Sequence, residues 1–110
     1  MSNHTAQIAQ LNDLARTAMG VASRLFQTAG INALDLCEQS KIREQVEKFD
    51  SFTPDNDPHG ERDFGAFDHC GERIFWKIDY FDKKLEFGSE HSEDPAQTTR
   101  VLTIMLASEY

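Results

Sequence analysis

The sequence predicts one α+β domain over residues 1–110, in which about three helices pack on one face of a mainly antiparallel sheet of three to four strands. Three observations support this fold class. A length of 110 residues suits a single core. The first half of the chain holds apolar residues at helical spacing, and residues 64–88 hold short aromatic and β-branched runs separated by turn residues.

The first predicted helix covers residues 5–17 and ends near Gly20. Its apolar residues recur at spacings of three and four: Ile8, Leu11, Ala15 and Ala18. Residues 21–28 could prolong this helix, but Gly20 and Gly30 bracket a length that suits a strand. We therefore predict a strand over residues 21–28.

The second predicted helix begins at Asp35, because Glu38 three residues later completes the pattern of a capping box. It ends near Lys48, and its apolar face consists of Ile42, Val46 and Phe49.

Residues 51–63 are predicted to form a loop, since they lack periodicity and include Pro54, Asn56, Pro58 and Gly60. Loops of this length in compact domains are often functional. The segment is therefore the first place to look for a site.

Three short strands are predicted after this loop, over residues 64–69, 73–81 and 85–88. The middle strand lies at the centre of the sheet and alternates an apolar face with a mixed one. The apolar face, which we expect to face the core, consists of Ile74, Trp76, Ile78 and Tyr80.

A last helix is predicted from Pro95 to the end of the chain. Asp94 would be its N-cap, and Gln97 stands at the third helical position. Its apolar stripe, which we expect to pack on the sheet, consists of Val101, Ile104 and Met105.

The charge of the chain is −8, and all of this excess lies within residues 50–94, which hold thirteen acidic and five basic residues. Such a surface repels phosphate backbones, so we expect no direct binding of nucleic acid. The partner that this charge favours is a protein with a basic surface, although a solvated face that keeps the chain soluble has the same pattern.

Neither a secretion signal nor an apolar run long enough to span a membrane is present in the sequence. We therefore expect a cytoplasmic protein that does not associate with membranes. The two cysteines, Cys37 and Cys70, cannot form a disulfide framework and are expected to be reduced thiols.

The candidate binding residues lie in and after the loop 51–63: Asp55, Asn56, Asp57, His59, Glu61, Asp63 and Asp68. The loop matches a calcium-binding EF-hand only in part, because Ala66 stands where a bidentate Glu is needed. We expect its polar side chains to bond neighbouring backbone amides. The sequence supplies no known catalytic motif, so we expect no catalytic residue, no metal ligand and no cofactor.

His69 and Cys70 are adjacent at the end of a predicted strand. Neighbouring strand residues face opposite ways, so this pair is not expected to act as a base and a nucleophile.

Several motifs resemble the bacterial domain-of-unknown-function family 3768, DUF3768. These are the segment from Phe52 to Pro58, Gly60-Glu61, Asp63-Phe64-Gly65, Trp76-Lys77-Ile78-Asp79-Tyr80, Gly88-Ser89 and the segment from Thr99 to Ala107. The resemblance runs from about residue 11 to residue 110. It implies a small alphaproteobacterial protein, often encoded on plasmids and integrative elements beside antirestriction-like genes, and it supplies no activity.

Two functional hypotheses follow. The first is a non-enzymatic module whose acidic segment binds a basic protein and so inhibits a nucleic-acid-binding or host-defence protein. The second is a small metal-assisted enzyme, which would require side chains of Asp55–Asp63 to converge on one point.

Overall fold

The structure, a computed structural model, describes residues 4–110. Three helices and four strands occur in the order α1 (His4–Thr17), β1 (Arg24–Gln27), α2 (Ala29–Asn32), α3 (Leu36–Glu47), β2 (Phe64–His69), β3 (Glu72–Phe81) and β4 (Thr99–Leu106). A 3-10 turn follows at Ala107–Glu109. The helix predicted over residues 5–17 and the strands predicted over 64–69 and 73–81 are confirmed. Of the strand predicted over 21–28, only Arg24–Gln27 is a strand, and residues 21–23 continue the turn after α1.

The four strands form one mixed sheet in the order β1-β4-β3-β2. β1 runs parallel to β4, whereas β4 with β3 and β3 with β2 are antiparallel. The predicted α+β class and mainly antiparallel sheet are therefore confirmed, with one parallel pair in addition. β3 lies in the interior of the sheet, as predicted.

The helices pack on one face of this sheet. Trp76, Ile74 and Ile78 of β3 lie opposite Ile104, Leu106 and Leu102 of β4, and opposite residues share a face. Trp76 is fully buried. The same core cluster includes residues from all three helices: Ala15, Ile31, Ile42 and Val46.

A buried arginine ties α1 to the end of α3. The Nη1 atom of Arg16 donates to the carbonyl oxygens of Val46 at 3.0 Å and Phe49 at 2.8 Å. Its guanidinium lies over the rings of Phe52 and Trp76. The Val46 carbonyl also accepts from the Phe49 N–H, so Arg16 gives it a second donor and supplies a donor to the Phe49 carbonyl just beyond α3.

Within residues 4–110, the helices leave the opposite face of the sheet uncovered. Met105, opposite Phe75, lies on this face, and the side chain of Phe75 packs against Phe64 and Tyr110. Phe26 of β1 is 59% exposed. The aromatic residues of this face are thus only partly covered.

The helix predicted from Pro95 is wrong, because Thr99–Leu106 is the strand β4. β4 is hydrogen-bonded on both edges and contains buried residues from both faces, such as Ile104 and Met105. A strand buried on both faces is continuously apolar, and periodicity cannot distinguish it from a buried helix. The turn at Asp94 does form, since Asp94 accepts from the Ala96 N–H and the Gln97 side chain, but it does not propagate as a helix.

The strand predicted over residues 85–88 is also absent, and a single bridge pairs Phe81 with Gly88. Asp82 Oδ1 accepts from the N–H groups of Lys84 and Glu86, which folds this segment into a tight turn.

The second predicted helix is confirmed as α3, and Asp35 is its N-cap residue. The side chain of Asp35 makes no capping hydrogen bond, however. Glu38, the other residue of the expected capping box, bonds His69 of β2 instead. Helix α2 is too short to give an apolar period, and the sequence did not predict it. None of the helices within residues 4–110 has the length and apolar character needed to cross a membrane.

Candidate functional site

Two acidic loops lie at the same end of the sheet. The first acidic loop (residues 50–63) precedes β2, and the second acidic loop (residues 82–98) follows β3. Because β2 and β3 are antiparallel neighbours, the start of β2 meets the end of β3. The two loops carry seven of the eight negative charges that the chain has in excess. They form the acidic end of the molecule.

The first acidic loop takes its shape from its own side chains. Asn56 Oδ1 accepts from the Thr53 N–H at 2.8 Å, and Asn56 Nδ2 donates to the Ser51 carbonyl at 2.9 Å. Asp57 Oδ1 accepts from the Arg62 N–H at 3.0 Å. The expectation that Asn56 and Asp57 organise the backbone is therefore confirmed.

The same role was expected of Asp55 and Asp63, and this expectation is wrong for Asp55, whose side chain bonds no backbone amide within residues 4–110. Asp63 accepts from the Ile78 N–H through its main-chain carbonyl at 2.8 Å, which joins the loop to β3. Asp55 and His59 are exposed, and neither side chain makes a hydrogen bond within residues 4–110. Both are thus free to meet a partner.

A buried hydrogen-bond network joins the two acidic loops. Fully buried Asn12 of α1 donates through Nδ2 to the Glu61 carbonyl at 2.8 Å and to Tyr80 Oη at 2.7 Å. Its Oδ1 accepts from Arg100 Nε at 2.7 Å, and Arg100 also donates to the Ser92 carbonyl at 2.6 Å. Tyr80 Oη donates to the Glu61 carboxylate at 2.8 Å. Glu61 and Ser92, one from each loop, are therefore held to the same helix.

Burial at the acidic end, assisted by neighbouring negative charge, raises the pKa of two of its groups. Burial, together with the nearby charges of Glu61 and Asp57, raises the pKa of Asp63. Burial and the carboxylate of Glu61 likewise raise the pKa of Tyr80. Both shifts favour the protonated form, in which the group adds no further negative charge to the acidic end.

Asp68 lies outside the acidic end. It is exposed on β2 and pairs with Arg73 of β3 at 3.2 Å, on the sheet face without helices. It shares no loop with the other predicted residues.

The loop does not assemble a metal site in the part of the chain that the structure describes. The group of three possible ligands found in residues 4–110 is Glu38, His69 and Cys70, whose ligand atoms lie within 4.8 Å of one another. No group of three ligands within residues 4–110 includes a residue of Asp55–Asp63, whereas the metal-assisted enzyme hypothesis requires two or more of these side chains to converge.

Glu38 and His69 form the centre of this second cluster. His69 Nε2 lies 2.6 Å from Glu38 Oε1, and His69 Nδ1 lies 2.9 Å from Gln45 Nε2. The hydrogen bond from His69, followed by the charge of Lys41, lowers the pKa of Glu38. α3 and β2 meet here, because Glu38 and Gln45 stand on one face of α3 and His69 points to the helix side of the sheet.

Cys70 joins the cluster from the turn between β2 and β3. Its Sγ lies 3.7 Å from Glu38 Oε1. Cys70 and Gly71 form a two-residue loop with φ of 50° and 84°, the signs of a type I′ turn. Cysteine is an unusual choice at a position where Asn, Asp and Gly adopt positive φ at lower energy.

A comparison with protein families found a match over residues 27–109 to DUF3768, described as a protein of unknown function. The chain belongs to the DUF3768 family. The segment matched by DUF3768 includes both acidic loops and the cluster of Glu38, His69 and Cys70, whereas Asn12 lies before it. Comparisons with curated proteins and with solved structures gave no match.

The sequence did not indicate the cluster within this DUF3768 segment. Glu38 was interpreted as a capping residue, and His69 and Cys70 were rejected as a pair because strand neighbours face opposite ways. The strand ends at His69, so that rule does not apply to Cys70 in the turn. The Cys-Gly dipeptide between two predicted strands does indicate a tight hairpin turn. It does not indicate which residue the Cys70 thiol contacts.

Proposed function

We propose that the protein is a protein-binding module whose acidic end docks on a basic surface of another protein. The observation that carries this proposal is the placement of two separate acidic loops at one end of the fold. Ten acidic residues and three basic ones lie in these two loops. A surface of this kind raises the encounter rate with a positively charged partner.

The acidic end is held in shape before a partner arrives. The Asn12 network fixes one point of each loop, and Asn56 and Asp57 fix the first loop internally. Binding to such a surface orders few side chains, so less of the interaction energy is lost to ordering.

The partner class that fits this charge is a protein that binds nucleic acid. Such proteins present Lys and Arg to phosphates, and a rigid array of carboxylates can occupy the same surface. The proposed outcome is inhibition of a nucleic-acid-binding or host-defence protein. The acidic end itself would not bind nucleic acid, because it repels phosphates.

The test uses a charge reversal that leaves the internal hydrogen bonds intact. Asp55 and Glu90 are both exposed, and one belongs to each loop. The loop variant carries Asp55→Lys and Glu90→Lys. The control variant carries Glu47→Lys and Glu72→Lys, which change the net charge by the same amount at two exposed positions outside the loops.

The tagged protein is used to capture proteins from a bacterial lysate, and the affinity of each purified partner is then measured against salt. We expect binding to a basic protein that weakens between 0.1 M and 1 M salt, as the Debye length falls from about 10 Å to about 3 Å. The loop variant should bind at least about tenfold more weakly, and the control variant should bind within about threefold of the wild type. Equal affinities for the two variants, or binding that is independent of salt, would show that the acidic end is only a solubilising surface.

A further inference from the structure

We propose that Glu38, His69 and Cys70 bind a divalent transition-metal ion of the zinc type. The site lies where α3 meets the β2–β3 turn, at the end of the hairpin opposite the acidic end. One carboxylate oxygen, one imidazole nitrogen and one sulfur would be the protein ligands. The fourth position would hold water.

The distances already approach those of a tetrahedral centre. Zinc bonds of about 2.0–2.3 Å place tetrahedral ligand atoms about 3.3–3.7 Å apart. Cys70 Sγ and Glu38 Oε1 are 3.7 Å apart, which needs no adjustment. His69 Nε2 and Glu38 Oε1 are 2.6 Å apart and must separate by about 0.7 Å, a side-chain rotation, when the metal replaces the proton between them.

Gln45 supplies the outer contact that a metal-bound histidine needs. Metal-ligating imidazoles almost always donate their second N–H to an acceptor. Without metal, Gln45 donates through Nε2 to His69 Nδ1, and His69 donates through Nε2 to Glu38. With metal on Nε2, the imidazole carries its proton on Nδ1, and a flip of the Gln45 amide presents its oxygen to that proton. The Cys70 thiol binds as a thiolate and releases its proton to solvent.

The donor set determines the class of ion. Mg²⁺ and Ca²⁺ take oxygen ligands almost exclusively, whereas a thiolate with an imidazole favours Zn²⁺ or its spectroscopic substitute Co²⁺. His69 is mostly buried, with 12% of its side chain exposed, so its ring is already fixed. Cys70 is exposed, so an ion can enter from its side.

The chain offers matched controls for each ligand. Cys37 is the other free cysteine, is also exposed, and lies next to Glu38 in sequence, but it is not part of the group. His59 is an exposed histidine in the first acidic loop. Cys70→Ser and His69→Gln are therefore compared with Cys37→Ser and His59→Gln.

The experiment titrates the reduced full-length chain with Co²⁺ and then displaces it with Zn²⁺. We expect one Co²⁺ per chain, visible d–d bands and a thiolate-to-cobalt charge-transfer band in the near ultraviolet. Cys70→Ser should lose the charge-transfer band. Both Cys70→Ser and His69→Gln should weaken Co²⁺ binding by at least about 100-fold, because loss of a residue that only contacts a ligand already costs up to about that much. The two control variants should bind like the wild type.

Circular dichroism confirms that each variant is folded, and the melting temperature with Zn²⁺ gives a second measurement. Zn²⁺ should raise the melting temperature of the wild type and leave that of Cys70→Ser unchanged. The absence of the charge-transfer band in the wild type, or its persistence in folded Cys70→Ser, would overturn the site. The variant Asp55→Lys with Glu90→Lys should bind Co²⁺ normally, so failure of the acidic-end proposal and failure of this one are distinguishable.

Discussion

Trp76 depends on the absence of a side chain at Gly65. The two residues lie directly opposite each other on β3 and β2, and a Cβ atom on Gly65 would overlap the indole ring. The ring also contacts Phe49 and Phe52 edge-on, so it cannot move away without disturbing the end of α3. The sequence predicted a buried Trp76 correctly, but the requirement for Gly65 depends on register across the hairpin.

We expect Trp76→Ala to lower the free energy of unfolding by about 3–5 kcal/mol, because the fully buried ring leaves a large cavity. Gly65→Ala should cost about 1–3 kcal/mol through overpacking. Chemical denaturation of the double variant should show most of the Gly65→Ala cost removed, because the ring is gone. Gly88→Ala is the control, since a Cβ there meets only the Tyr80 carbonyl at an ordinary 3.8 Å. Additive costs in the double variant would contradict this coupling.

Glu109 makes three hydrogen bonds that hold the 3-10 turn to α2. Its carboxylate accepts from the Thr28 hydroxyl at 2.6 Å, the Gly30 N–H at 2.8 Å and the Leu106 N–H at 2.9 Å. These bonds lower the pKa of Glu109, with the Thr28 hydroxyl as the largest cause. The folded state therefore prefers the ionised carboxylate.

A lowered pKa makes part of the stability depend on pH. The contribution of Glu109 is present above its usual value of 4.5 and is lost as pH falls through the lower value of the folded state. We expect Glu109→Gln to melt at a lower temperature than the wild type at neutral pH, with the difference shrinking as the pH falls below 4.5. Melting curves at several pH values test this. Glu47→Gln, at an exposed position near the end of α3, is the control and should melt close to the wild type at neutral pH.

At the scale of elements, the sequence predicted the amphipathic parts of the fold and failed for β4. α1, α3 and β3 have one buried face each, so their apolar period is visible in the sequence, whereas β2 was identified by its aromatic residues and the turns that flank it. β4 has Leu102 and Ile104 on one face and Met105 on the other, all buried, which leaves no period to identify it. Pairing with both β1 and β3 determines its strand conformation. This tertiary context cannot be inferred from the residues of β4 alone.

The cluster of Glu38, His69 and Cys70 at the β2–β3 turn likewise could not be predicted from local sequence. The Cys70-Gly71 pair between two strands predicts a tight turn. The contact of Cys70 with Glu38 depends on how α3 packs on the sheet, and local hairpin rules do not predict it. The residues of the first acidic loop were found because their composition is unusual. In the cluster, Glu38 is separated by about thirty positions from the adjacent pair His69 and Cys70, and nothing in the composition around them is unusual.

Cys70→Asn should separate stability from metal binding. Asn tolerates the positive φ of this turn better than Cys, so we expect the metal-free protein to gain about 1 kcal/mol of unfolding free energy. Binding of Co²⁺ should be lost at the same time, because the thiolate is absent. Urea denaturation without metal and a Co²⁺ titration measure the two effects. A destabilised Cys70→Asn variant would show that the thiol contact with Glu38 outweighs the backbone strain.

At the scale of the whole molecule, Asn12 couples the acidic loops to α1 and to the sheet. Its replacement by Ala removes a partner from the part-buried Glu61 carbonyl and from Nε of the buried Arg100. We expect Asn12→Ala to lower the free energy of unfolding by at least about 2 kcal/mol. Amide hydrogen exchange should become faster in residues 50–63 and in residues 82–98 together. Faster exchange in one loop alone would show that Asn12 does not couple the two loops. Tyr80→Phe removes only a hydroxyl and should therefore lower the free energy of unfolding less than Asn12→Ala does.

The position of β4 between β1 and β3 has a consequence for synthesis on the ribosome. β1 ends at Gln27, but its partner β4 begins only at Thr99, so β1 emerges long before it can pair. The β2–β3 hairpin can form earlier, yet β3 then presents an unpaired edge and an apolar face that includes Trp76. A nascent chain arrested before residue 99 therefore lacks the strand that joins the two halves of the sheet, and it exposes surface that chaperones and proteases recognise. Completion of β4 is the step at which translation yields a folded sheet.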